Sequence, residues 1–126
     1  MPSGPIRRQR YDVIVAEVAA AKDIIWKLLG SHSKYSGAAY NHLADARQLS
    51  TELGADLFVK DDLAAAAERC RRLGAALHQA SSNLKLFAQE QGAGVERALQ
   101  HIELALALLR KMADDISPED TLADEI

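Results

Sequence analysis

With 126 residues, 48% of them hydrophobic, the chain is long enough to bury one core and too short for two of ordinary size. Its formal net charge of −3 argues against a general nucleic-acid binder, which carries a basic excess to displace counterions from phosphate. Aromatic residues make up only 5%, alanine and leucine dominate, and the bias is towards helix over sheet, so the expected fold class is all-α.

The first residues, Met1 to Pro5, hold two prolines and a glycine and read as a frayed lead-in to a helix beginning near Ile6 or Arg7. Met1 to Arg10 lacks the apolar core of a signal peptide, and no apolar run reaches bilayer-spanning length, so neither a membrane partner nor export is expected and the cytoplasm is the expected location. From Tyr11 onward, Ile14, Val18, Ala21, Ile25 and Leu28 follow a heptad seam that Gly30 should end. The second half of this helix, Ile24 to Leu29, is apolar over more than a single stripe. Trp26, with Ile24 beside it, lies off the seam and is a candidate interface anchor; the alternative is that Trp26 folds over a helix end.

Gly30 to Gly37 is a polar turn-forming stretch without the Gly-Lys-Ser/Thr closure of a phosphate loop, and His32, Lys34 and Tyr35 are expected to be solvated there. A second, shorter helix is expected from about Ala38 to Leu53, burying Ala39, Leu43, Ala46, Leu49 and Leu53, with Gly54 as its terminator. Leu57, Phe58 and Val59 are too apolar for an exposed loop and should cross one end of the bundle. Asp61 or Asp62 then caps the longest helix, where carboxylates meet the positive end of the amide dipoles.

That helix, Asp62 to Gln91, carries an unbroken seam of Leu63, Ala66, Cys70, Leu73, Leu77, Ala80, Leu84 and Phe87 over roughly 45 Å. Cys70 falls on it and, as the single cysteine, reads as a small buried hydrophobe in a reducing compartment. After Gly92-Ala93-Gly94 the same spacing restarts at Val95, Ala98, Ile102, Ala105, Leu109, Met112 and Ile116, predicting a hairpin of the last two helices. Leu104 and Leu108 lie to one side of this seam and are further interface candidates. Ser117-Pro118 should stop the helix, leaving one domain over 1–118 and a flexible acidic tail over 119–126. The expected architecture is an antiparallel four-helix bundle with one long central helix, partly uncovered by its shorter neighbour, which favours a homodimer or another protein partner.

No metal or other cofactor is expected. None of His32, His42, His78 and His101 has the Glu three residues earlier that a di-iron bundle uses, and there is no His-Glu-x-x-His or Cys-x-x-Cys. Arg71, His78 and Lys85 share a heptad position, and the residues flanking His78 by three and four are the small Gly74, Ala75, Ser81 and Ser82. An unobstructed His on such a helix resembles the histidine phosphotransfer domains, which would imply phospho-acceptance at His78; Ser81 and Ser82 stand where that family has its Lys and Gly. Arg72 followed by His78 resembles the signature of the HEPN ribonucleases, implying a dimer cleft in which Arg holds phosphate and His moves a proton; Leu73 replaces the polar residue that follows the Arg there. Arg69, Arg71 and Arg72 form a small basic cluster diluted by Asp61, Asp62 and Glu68. The reading favoured by the whole is a non-catalytic, self-associating interaction or assembly module with Trp26, Ile24, Leu104 and Leu108 at its interface and no catalytic residue; the alternative is chemistry at His78, with or without Arg72.

Overall fold

The computed structural model describes residues 4–29, 33–91 and 94–116. Within them the chain is all-helical: α1 is Gly4–Trp26, α2 Lys34–Phe58, α3 Leu63–Gln91 and α4 Glu96–Ile116. The acidic tail over 119–126, the Gly92-Ala93 break, Gly30 and His32 lie outside the described residues.

Each helix buries most of the stripe its heptad spacing implies; Leu63 stays exposed at the start of α3, and Leu28 and Leu49 are half-buried. Ile14, Val18, Ala21 and Ile25 of α1 are fully buried, as are Ala66, Cys70, Leu73, Leu77, Ala80 and Leu84 of α3 and Ala98, Ile102, Ala105, Leu109 and Met112 of α4. These side chains and those of α2 join in one core, so the four helices pack as a single bundle. α2 lies most closely along α3, and α1 along α4; the α1–α2 and α3–α4 sides are looser. The hairpin expected from α3 and α4 is therefore not the tightest pair, because α3 spends its apolar edge on α2.

The α2 helix departs most from its sequence reading. It spans 25 residues instead of ending at Gly54, and Leu57 and Phe58 belong to its last turn. The buried seam is Ala39, Leu43, Ala46, Ser50, Leu53 and Leu57, an unbroken alternation of four and three. Ser50 hides this periodicity by placing a hydroxyl on the seam, where it is satisfied by donating to the Arg47 carbonyl at 2.8 Å. Because α2 nearly matches the 29 residues of α3, the uncovered length expected of α3 does not exist.

The helix ends follow local chemistry. Pro5 fits the first turn of α1, where its missing N–H costs nothing. Ser33 caps α2, its hydroxyl accepting from the Tyr35 amide at 3.2 Å and donating to Glu90 at the far end of α3 at 2.9 Å. Between α2 and α3 the chain turns on Asp61, whose φ of 52° is a left-handed conformation that Asp tolerates better than most residues. Asp62 then caps α3 by accepting from the Ala65 amide at 3.1 Å.

Candidate functional site

The α1–α4 side carries polar and apolar features along its length. At one end Arg7 Nε donates to Asp115 Oδ2 at 2.7 Å. Asp115 Oδ1 is buried without a hydrogen-bond partner, with Arg10, Lys111 and Asp114 around the opening. Further along, His101 Nδ1 makes a short contact with the Glu17 carboxylate. His101, Leu108 and Asp115 are successive heptad positions on α4, and Arg10, Glu17 and Ile24 are successive heptad positions on α1, so these two rows face one another. Ile24 and Leu108 accordingly fold into the seam and pack, half-buried, on the core.

Leu104, three residues after His101 and four before Leu108, sits on the outer side of the α1–α4 seam with 51% of its surface exposed. Val13, four residues before Glu17 on α1, is 39% exposed. Val13 escapes the sequence reading because it lies beside the seam residue Ile14 and joins Leu104 only across two helices. Trp26 is elsewhere. It is 62% exposed and leans towards α2, where its ring lies 5.6 Å from that of Tyr40, with the Lys22 ammonium 5.4 Å from the Tyr40 centroid. Three of the four interface candidates thus share the α1–α4 side, and Trp26 stands on the α1–α2 side.

The α3 helix separates the residues of the two catalytic resemblances. His78 lines a groove towards α4 with Ser81, Lys85, Glu103, Leu106 and Arg110. Arg72 lines a different groove towards α2 with His42, Asp45, Gln48, Leu49, Ala75, Ala76 and Gln79. Six residues turn a helix by 600°, so the two side chains diverge by about a third of a circle. Within one chain they cannot converge on one phosphate. Arg72 Nε also lies 3.4 Å from Glu68, which Arg71 engages as well. These arginines hold the exposed Glu68 carboxyl below its ordinary range, chiefly through the hydrogen bond from Arg71. Arg110 and Glu103, which complete the His78 groove, come from α4 and leave no local signal on α3.

The third member of the basic cluster, Arg69, points inward. Its Nε donates to Asp56 Oδ2 at 3.2 Å and its Nη1 to Glu52 Oε1 at 2.9 Å. Asp56 is only 1% exposed, so this bridge pairs a carboxylate already removed from water. Next to Arg69 on α3, buried Cys70 has its thiol pushed up to about 12, first by desolvation and then by the Asp56 charge, which makes it a packing residue and not a nucleophile. Among the described residues no three His, Cys, Asp or Glu side chains are grouped to hold a metal ion, and no helix is long and apolar enough to cross a membrane.

Comparison with protein-family models, with curated proteins and with solved structures finds no match.

Proposed function

We propose that the chain is a non-catalytic helical assembly module of the cytoplasm that pairs with a second copy of itself. Its helices run alternately up and down, as the meetings of Arg7 with Asp115 and of Glu17 with His101 suggest, with α3 as the longest member. The observation that carries this reading is the placement of Val13 and Leu104, both exposed, on the two helices that the Glu17–His101 contact joins, with half-buried Leu108 one turn beyond Leu104. Large apolar side chains grouped at the surface of a small bundle mark an interaction site more often than isolated ones do. Trp26 forms a second, separate anchor beside Tyr40. A concentration series followed by amide NMR tests the reading: dilution should shift resonances around Val13 and Leu104 together, and concentration-independent spectra would oppose it.

A second reading, phospho-acceptance at His78, is supported by the exposed imidazole sharing a groove with Lys85 and Arg110. Incubation with acetyl phosphate should then give an acid-labile phosphoryl group that is lost in His78→Gln. Absence of any labile phosphate in the unmodified chain would remove this reading and leave the assembly module untouched.

A further inference from the structure

The looser α3–α4 side brings together, from two helices, two of the surface cations that have no ion pair among the described residues. Arg7, Arg8, Arg69, Arg71 and Arg72 each lie within 4.0 Å of a carboxylate. Lys85 on α3 and Arg110 on α4 are both exposed, line the same groove, and have no such ion pair among the described residues, although Glu103 shares the groove with them. Between them stands Ser81, 8% exposed, whose hydroxyl makes no hydrogen bond among the described residues. The Ser81 hydroxyl, without a protein partner and lining the same groove as two such cations, is a donor that a ligand oxygen can take up.

We infer that the groove formed by Ser81, Lys85 and Arg110, with His78 at its edge, binds a phosphate-class oxyanion, either as the free ion or as a phosphate monoester. Lys85 brings a compact charge with three donors, Arg110 a planar fork, and Ser81 a single hydroxyl. These donors come from two helices and approach from different sides. A tetrahedral anion presents oxygens to both sides at once, whereas a planar carboxylate serves one. Leu106 contributes an apolar wall suited to the organic part of a monoester. Glu103 opposes the anion and sets the affinity low, in the range of a reversible docking contact. The inference requires neither self-association nor phosphoryl transfer.

An NMR titration of the full chain with inorganic phosphate, at constant ionic strength maintained with chloride, tests it. Saturable shifts are expected at Ser81, Lys85 and Arg110, with a dissociation constant on the order of 1 mM for a solvent-screened site. Lys85→Gln and Arg110→Gln should each weaken binding by about tenfold through loss of a charge-assisted hydrogen bond. Arg72→Gln, on the opposite edge of α3, should leave binding unchanged, and Glu103→Gln should tighten it. A phenyl phosphate arm separates the sources: tighter binding than inorganic phosphate assigns a monoester, and equal binding assigns the free ion. Shifts that do not saturate, or that survive unchanged in both Lys85→Gln and Arg110→Gln, would overturn the site.

Discussion

The phenol ring of Tyr11 on α1 lies against the bare backbone of Gly54 on α2, so close that a Cβ added at Gly54 would stand 2.7 Å from Tyr11 Cζ and nearer still to the hydroxyl. The ring is held there from two sides. Its hydroxyl donates to the Ser50 carbonyl at 2.8 Å, and its edge meets Phe58 at 5.4 Å between centroids. Gly54 thus serves close approach of two helices one turn before the end of α2 and does not terminate it.

Gly54→Ala should therefore destabilise the bundle by about 1 to 3 kcal/mol through overpacking, despite the gain of about 1 kcal/mol that Ala brings to an ordinary helix position. Urea unfolding measures the sign directly. Net stabilisation would show that Tyr11 moves aside freely. In Tyr11→Ala the same Gly54→Ala change should become neutral or favourable, since the obstacle is gone.

Arg69 bridges Glu52 and Asp56, and removing it strands the buried Asp56 carboxylate. Arg69→Met should cost about 3 kcal/mol, the low end for breaking a buried pair because Arg69 retains some water contact. Asp56→Asn in the Arg69→Met background should recover much of that loss. A cost within experimental error of zero for Arg69→Met would show the bridge to be solvent-screened.

Stability should fall in alkaline solution from two buried groups. Cys70 has its thiol raised from 9.0 to about 12, and burial also raises the Tyr11 phenol above 10.0, outweighing the nearby Arg8 charge. Both groups are neutral when protonated, so their contribution is complete below the unfolded values and declines as pH rises past about 9 towards the folded ones. Chemical unfolding between about pH 8 and about pH 11 should show this decline flattened in Cys70→Ala. The folded protein should also resist thiol-labelling reagents at neutral pH, whereas rapid labelling would contradict the burial of Cys70.

Glu17 and His101 link α1 to α4 away from their ends, and a double-mutant cycle of Glu17→Gln and His101→Gln should give a coupling of about 1 kcal/mol. Additive effects would mean the contact contributes nothing beyond each side chain's own packing.

Much of this arrangement can be read directly from the chain where apolar periodicity is continuous. The seams of α1, α3 and α4 run without a polar member and bury as spaced except at two ends, Leu63 being exposed and Leu28 half-buried, and Asp62 caps α3 as its carboxylate position suggests. The far half of α2 was illegible for two local reasons: Ser50 occupies a seam position, and Gly54 carries the usual mark of a helix stop while answering to Tyr11 on another helix. The same limit governs the grooves. Heptad spacing aligns Arg71, His78 and Lys85 on α3, but only the packing of α4 adds Arg110 and Glu103 to His78 and Lys85, and only the packing of α2 sets His42 and Asp45 beside Arg72.

The central claim is that the Val13–Leu104 side joins two copies, and light scattering across a dilution series measures it most directly. A mass of about twice the 13.7 kDa chain is expected, shifting to the single-chain value on dilution and, at every concentration, in Leu104→Glu, which places a charge on the outer side of the α1–α4 seam without touching the core. A mass of 13.7 kDa throughout for the unaltered chain, or a pair that persists in Leu104→Glu, would contradict it.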